Sequence, residues 1–146
     1  MTTSIHKSAL VAYTPAEMFA LVSDIESYAD FLPWCRSASV VWREGDELKA
    51  CLEMAKGSLQ KSFTTHNRQQ ADKMIEIRLV DGPFKRLEGY WRFDPLGDKA
   101  CKVSLDLEFE FANRMLSMMI GPVFSQIANT LVDAFQQRAV QVYGKR

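Results

Sequence analysis

The side chains that can act as nucleophiles, general acids, general bases or metal ligands are few and far apart. The chain has two histidines, His6 and His66, and three cysteines, Cys35, Cys51 and Cys101. None of them has the spacing of a metal site, and the sequence lacks the glycine-rich and serine-containing motifs of nucleotide-binding and hydrolytic enzymes. We therefore expect no catalytic residue, no metal and no required cofactor.

The cysteines and the acidic side chains support the same interpretation. Three widely separated cysteines favour free thiols in a reducing cytoplasm, where they pack as small hydrophobic residues. Asp106, Glu108 and Glu110 alternate with apolar residues, so we expect them on the solvent side of a strand. What the chain has in quantity is apolar and aromatic side chains, and the chemistry they support is the binding of an apolar ligand.

Composition narrows the range of partners. The 146 residues, 47% of them hydrophobic, suit one domain, 1–146, with a sizeable core. Eighteen basic and eighteen acidic side chains cancel, so a nucleic acid or membrane partner needs a local patch. No apolar run approaches the ~20 residues of a membrane span, and the N-terminus lacks a signal-peptide pattern. We expect a cytoplasmic protein without a transmembrane segment or bound DNA.

Residues 113–143 predict one long helix around which the remaining chain is organised. Apolar residues recur three and four apart, which places them in one stripe that must pack against an apolar surface. Gly121-Pro122 interrupts this pattern and predicts a kink, or a short helix over 114–120 followed by the main helix. The first piece is rich in methionine, and two interpretations stay open for it: a mobile lid or the edge of the core.

The preceding residues predict a strand, two short helices and a sheet. Thr14 to Glu17 has the residues of a capping box after a first strand over 4–13, and Pro33 ends a second short helix. From Cys35 on, apolar residues recur at every second position, which is the period of a strand, and short turns separate these segments. Short turns between consecutive strands favour an antiparallel meander. The predicted fold class is α+β: a curved antiparallel sheet of six to seven strands wrapped around the long C-terminal helix. The strands after the helices are expected at 39–43, 48–54, 59–67, 74–80, 84–94 and 101–111.

Several segments resemble the family that comprises the bacterial RatA proteins and the coenzyme Q-binding START-domain proteins, which are polyketide cyclase/dehydrase-like. The resemblance covers nearly the whole chain, and the Leu79–Lys85 segment and the C-terminal ending are its more specific parts. It implies a START-like helix-grip fold with an apolar cavity rather than a filled core. The segments that carry it are Tyr28–Cys35, Ser62–Thr65, Leu79–Lys85, Trp91–Leu96, Leu107–Phe111 and Ala134–Ala139.

The first function that the resemblance implies is non-catalytic binding of a hydrophobic ligand, ubiquinone or another polyprenyl lipid, in support of respiration. Lys61 or Tyr90 would orient a quinone headgroup, although a solvent-directed Lys61 is favoured. A weaker alternative is an oligoketide cyclase or dehydrase that uses the same pocket. The side chains expected to line the pocket are Phe31, Trp34, Phe63, Trp91, Phe109, Met119, Phe124, Ile127, Leu131 and Phe135.

The second function that the resemblance implies is a toxin that binds the large ribosomal subunit and blocks subunit joining. It would need a basic patch, and a small antitoxin-like protein would be a further partner. Scattered lysines and arginines more often form only a solubilising surface. The candidates for the patch are Arg68, Lys73, Lys85, Arg86 and Arg138, with Lys56, Lys61, Lys145 and Arg146 as further cations.

Overall fold

A computed structural model describes residues 2–146. These residues form seven strands and two α-helices, with a 3₁₀ helix at Ile25–Asp30. The order confirms the predicted α+β class. The elements are β1 (Thr3–Val11), α1 (Pro15–Ser23), the 3₁₀ helix, β2 (Cys35–Glu44), β3 (Glu47–Lys56), β4 (Leu59–Gln70), β5 (Met74–Asp81), β6 (Phe84–Pro95), β7 (Cys101–Phe111) and α2 (Arg114–Tyr143).

All seven strands form one curved antiparallel sheet in the order β1-β7-β6-β5-β4-β3-β2. Strands β2 to β7 follow one another as a meander, as their short turns predict, and β1 returns to pair with β7. The sheet therefore has its N-terminal strand on one edge and β2 on the other. Its inner face carries the apolar residues of each strand, and α2 lies against that face.

The predicted helix starts are present. The Thr14 hydroxyl accepts a hydrogen bond from the Glu17 backbone N–H at 3.1 Å, and the Glu17 carboxylate accepts one from the Thr14 N–H at 3.0 Å. This is the expected capping box. The second short helix is a 3₁₀ turn that ends at Asp30, three residues before the predicted stop at Pro33. The Asn113 side chain caps α2 by accepting from the Leu116 N–H at 2.9 Å.

Of the two alternatives predicted at Gly121-Pro122, a kink or a division into two helices, the division is wrong: α2 runs from Arg114 to Tyr143 with the proline inside it. Ile120 and Phe124, on either side of Pro122, are both buried in the same apolar cluster, so packing holds the two parts on one surface. The proline itself is exposed. Its missing N–H would have paired with the carbonyl of the exposed Met118, which water can solvate.

The interior consists of two apolar clusters that meet beneath the middle of α2. One surrounds Phe93 and Phe135 and includes most of α1, and the other surrounds Phe109 and Phe124. Cys35 and Cys101 are buried free thiols, as expected, and Cys51 is half-buried. Among residues 2–146, no group of three or more potential metal ligands comes together.

Candidate functional site

A cavity of about 90 Å³ lies between the inner face of the sheet and the middle of α2, where the two apolar clusters meet. Strands β3 to β7, the 3₁₀ helix and α2 all contribute to its wall. Small side chains, Ala50 on β3 and Ala128 on α2, stand where larger ones would fill the space. Its wall includes six of the residues predicted for the pocket: Trp34, Phe63, Trp91, Phe124, Ile127 and Leu131.

Each wall residue is placed by the period of its element. On α2, Phe124, Ile127 and Leu131 are spaced three and four apart, so they share the face that points at the sheet. On β6, Leu87 and Trp91 are on the inner side of the strand. The predicted stripe of α2 therefore supplies one wall of the cavity and the strands supply the other.

A hydrogen-bonded polar pair, Thr65 and Asn67, also lines the cavity and was not among the residues predicted from the sequence. Both side chains are buried, and the Thr65 hydroxyl donates to Asn67 Oδ1 at 2.9 Å. Because the amide oxygen of Asn67 is used by Thr65, its amide nitrogen is the group that can donate to a ligand carbonyl. Their position in the sequence could have indicated this, because Thr65 and Asn67 follow Phe63 at every second residue of β4 and so lie on the same inward side.

The titratable groups near the cavity are held in their neutral forms. Burial, with smaller contributions from the charges of Asp24 and Cys35, raises the pKa of Tyr28 well above its usual range. The Tyr28 hydroxyl donates a hydrogen bond to the Val22 carbonyl oxygen. Burial, and then the charge of Glu53, raises the pKa of the Cys35 thiol to about 11. Neither group is an acid, base or nucleophile at neutral pH.

The described cavity wall contains no carboxylate, histidine, lysine or arginine. Its surface is aliphatic and aromatic except for the hydroxyl, amide and indole groups. Such a wall binds through burial of apolar area, with hydrogen bonds that set orientation.

Three of the predicted pocket residues are buried in the apolar core or at its edge instead of lining the cavity. Phe135 is fully buried, with its ring centroid 5.3 Å from that of Trp91. Phe109 is also fully buried, 4.8 Å from the Phe124 ring centroid. Phe31 is half-buried beneath the Arg138 guanidinium, which lies 4.8 Å from the ring centroid. These aromatic rings support the wall from behind.

Met119 was also predicted to line the pocket, and its placement there is wrong. Its side chain is 52% exposed, because the inward position on this turn of α2 belongs to the neighbouring Ile120. Tyr90 likewise lies on the outer face of the sheet, beside Glu76 and Asp106, and cannot reach a ligand inside. Lys61 is half-buried at an inward strand position but does not reach the cavity wall.

A surface groove of about 430 Å³ lies next to the cavity, between α2 and the β3–β4 hairpin. Trp34 and Ile127 line both spaces, so these two side chains separate the cavity from the surface. The Lys56 ammonium crosses the groove to Gln126 Oε1 at 3.2 Å. The Trp34 carbonyl accepts from the Ala55 N–H at 2.9 Å, which fixes the backbone of Trp34 to β3. The groove therefore lies on the other side of Trp34 and Ile127 from the cavity.

The cations predicted for a ribosome-binding patch lie on several elements, and two groups of them are far apart. Lys73 lies beside Phe93, whose N–H donates to its carbonyl at 2.9 Å, whereas Lys85 and Arg86 are at the opposite end of β6, about 25 Å away. Arg138 is on α2. The sequence could not show this, because it does not give the distances between elements.

Two of these cations are also close to acidic side chains. The Arg86 guanidinium pairs with the carboxylates of Glu88 and, at 2.9 Å, Glu108. Lys85 Nζ is 3.6 Å from Glu110. The local field around them is therefore weaker than the cations alone suggest.

The sequence profile of the polyketide cyclase/dehydrase and lipid transport family matches residues 11–136, so the chain belongs to this family. It is 46% identical over 144 residues to the ribosome association toxin RatA of Pseudomonas aeruginosa, covering 99% of this chain and 100% of that protein. It is 28% identical over 139 residues to the mitochondrial coenzyme Q-binding protein coq10 of Schizosaccharomyces pombe, covering 90% and 84% of the two chains. The resemblance seen in the sequence is confirmed.

A solved structure shows the same fold. A START superfamily protein from Mycobacterium smegmatis superposes with a TM-score of 0.81 over 95% of this chain and 98% of that one, at 22% identity. The likeness establishes the START-like architecture of the sheet and long helix.

Proposed function

We propose that this member of the polyketide cyclase/dehydrase and lipid transport family binds a quinone, with the ring in the cavity beneath α2. The observation that carries the proposal is an apolar cavity whose wall includes the hydrogen-bonded pair Thr65 and Asn67. A quinone ring is apolar on its faces and carries carbonyl acceptors at its edge. The Asn67 amide nitrogen supplies the matching donor.

The cavity must widen to accept such a ring. An apolar cavity of about 150 Å³ is the size that holds benzene, and this one is about 90 Å³. Because Trp34 and Ile127 separate the cavity from the groove, rotation of these side chains would join the two spaces. The joined volume falls in the range of small-molecule sites, and a polyprenyl tail would lie along the groove.

The wall favours binding over catalysis. A cyclase or dehydrase needs a group that moves a proton, and the nearest candidates, Tyr28 and Cys35, are held neutral by burial. We therefore propose a carrier or chaperone for the ligand, in the reducing cytoplasm that the free thiols favour. The support for this role is the apolar wall and the similarity to a coenzyme Q-binding protein.

The proposal is tested with two ligands of matched size, naphthoquinone and naphthalene, titrated against the tryptophan fluorescence of the full chain. We expect Asn67→Leu to weaken naphthoquinone binding about fivefold, the value of one hydrogen bond, and to leave naphthalene binding unchanged. Thr65→Val is the matched control that keeps the Asn67 amide. Mass spectrometry of an organic extract of the purified protein identifies any natural ligand. Failure to recover a quinone, together with failure of naphthoquinone to bind, would refute the proposal.

A second candidate function is association with the large ribosomal subunit. The observation that favours it is the 46% identity to a ribosome association toxin over nearly the whole chain. Since the basic residues lie in separate places, three charge-reversal variants distinguish the surfaces: Arg68→Glu/Lys73→Glu, Lys85→Glu/Arg86→Glu, and Arg138→Glu. Sucrose-gradient sedimentation with ribosomal subunits should show one of them losing association. Unchanged free subunits and joined particles with the wild-type chain would contradict this function. A small antitoxin-like partner protein stays a prediction.

A further inference from the structure

The first turns of α2 are apolar on the side that faces solvent as well as on the side that faces the sheet. Ile120 and Phe124 point inward and are buried. Met115, Met118 and Met119 point outward and are 66%, 71% and 52% exposed. Their spacing of three and four places them on one face of the helix, which we call the methionine face. A helix that is apolar all round is usually covered on every side.

The sheet does not provide that cover. By length and composition, α2 is long and apolar enough to span a membrane, yet only about a third of its most apolar stretch is buried inside the protein. Its inward residues belong to the core, so the helix is part of the domain and does not cross a bilayer as a free segment. The uncovered side is instead suited to contact with an apolar surface outside the molecule.

The charges around the methionine face are mostly positive. From Phe111 to Val132 the sequence contains no acidic residue, and the same is true of the β3–β4 hairpin between Glu53 and Asp72. The hairpin brings Lys56 to the groove beside Val123 of α2. Two other cations lie at the start of the helix: Arg114 and Lys85 line one depression with Glu110, which is 3.6 Å from the lysine.

We propose that the methionine face, with Lys56, Lys85 and Arg114 at its rim, docks onto the surface of an anionic phospholipid bilayer. The methionine side chains would enter the boundary between headgroups and acyl chains, and the cations would contact lipid phosphates. The apolar face matches the acyl chains of the bilayer, and the cations at its rim match the phosphates of the headgroups that lie above those chains. The groove that leads to the cavity opens beside the following turns of α2, at Val123, Gln126 and Ile127. The docking does not depend on which ligand the cavity holds.

The chemistry favours a bilayer over a nucleic acid. Single-stranded nucleic acids are held by a cationic groove combined with aromatic rings on which bases stack, and the three protruding side chains here are thioethers. Methionine is flexible and unbranched, so it adapts to a fluid surface without a fixed complementary shape.

The test uses flotation of the full chain with two kinds of vesicle: phosphatidylcholine alone, and phosphatidylcholine mixed with phosphatidylglycerol. We expect binding to the mixed vesicles that weakens with salt, and little binding to phosphatidylcholine. Met115→Gln/Met118→Gln/Met119→Gln should weaken binding by about tenfold or more, because the apolar area is lost. Lys56→Glu/Arg114→Glu should weaken it by about tenfold or more through charge reversal and remove most of the salt dependence.

The matched control is Val140→Gln/Val142→Gln, which removes exposed apolar side chains, 43% and 48% exposed, from the other end of the same helix. It should float as the wild type does. The proposal is overturned if the wild-type chain does not bind mixed vesicles, or if the methionine variant binds them equally well. It is also overturned if the methionine face binds another partner. That outcome would be a wild-type chain that does not bind vesicles but forms a dimer, or associates with ribosomes, and a methionine variant that has lost this association. Thermal unfolding of each variant shows that the fold is retained.

Discussion

The two ends of α2 differ in how fully they are partnered. At the C-terminal end, Phe135 and Ala139 are fully buried, and the Tyr143 hydroxyl donates to the Glu17 carbonyl at 2.9 Å. The Arg146 guanidinium contacts both Glu17 carboxylate oxygens, at 2.6 and 2.7 Å. At the N-terminal end, large apolar side chains face solvent. One end therefore stabilises the domain, and the other has capacity left for contacts outside it.

The largest difference should appear when one side chain is truncated at each end. Phe135→Ala removes a fully buried ring that contacts Trp91, Tyr28 and Phe31, and should lower the free energy of unfolding by about 3–5 kcal/mol. Met118→Ala, at a side chain that is 71% exposed, should cost less than about 0.5 kcal/mol. Urea denaturation of both variants measures the two values. Similar losses would mean that the two ends are equally packed.

The middle of the helix, between these ends, can be examined at Leu131, which is half-buried and lines the cavity. Leu131→Trp should place an indole in the space that a ligand would occupy, abolishing ligand binding and leaving the fold largely intact. If the space is instead needed for packing, the same change should cost about 1–3 kcal/mol through overpacking. Titration with naphthoquinone and urea denaturation separate the two outcomes. Leu131→Met, which conserves volume, is the control and should retain both properties.

The contacts at the C-terminal end predict a pH dependence. The hydrogen bond from Arg146, followed by the one from the Thr14 backbone, lowers the pKa of Glu17 from 4.5 to about 2. Because the folded pKa is depressed, this stabilisation is fully present above pH 4.5 and is lost as the pH falls toward 2. After allowance for solvent screening, Glu17→Gln should cost about 1 kcal/mol at pH 7.

Measurement of unfolding from pH 7 to pH 2 checks the sign. The curves of the wild type and Glu17→Gln should converge at the acid end. Arg146→Gln should produce a similar loss, and the double variant should add little to it, since both changes remove one interaction. A difference that persists at pH 2 would assign the effect to packing instead of charge.

The helices, the strands and their buried faces could be predicted from the sequence, because each depends on the spacing of apolar residues along a short stretch of chain. The inward positions of β3, Leu48 to Met54, and the stripe of α2 follow from spacings of two and of three and four. One of the two alternatives at Pro122, division of the helix, was wrong, because burial of Ile120 and Phe124 outweighs the cost of a proline in the helix. The prediction was also wrong at Met119, because a methionine inside an apolar run gives no sign of which side it occupies.

The cavity could not be located from sequence, because its volume is the small difference between large packed volumes. Six of its wall residues were predicted, but Ala50 and Ala128 matter by being small, which no periodicity shows. Gly89 gives a similar lesson. A Cβ there would lie 2.3 Å from the Asp106 carbonyl oxygen, so the close approach of β6 and β7 requires glycine. The sequence shows the glycine but not the neighbour that requires it.

The smallest expected effect is the stability change in Met115→Gln/Met118→Gln/Met119→Gln. Since all three side chains are more than half exposed, replacing them should change the free energy of unfolding by less than about 0.5 kcal/mol. Glutamine keeps the length and helix propensity of methionine, so the helix itself should not weaken. A loss of several kcal/mol in urea denaturation would show that the methionine face packs against the protein in solution. That result would remove the difference between the two ends of α2, because the three methionine side chains would then already be covered by the protein itself.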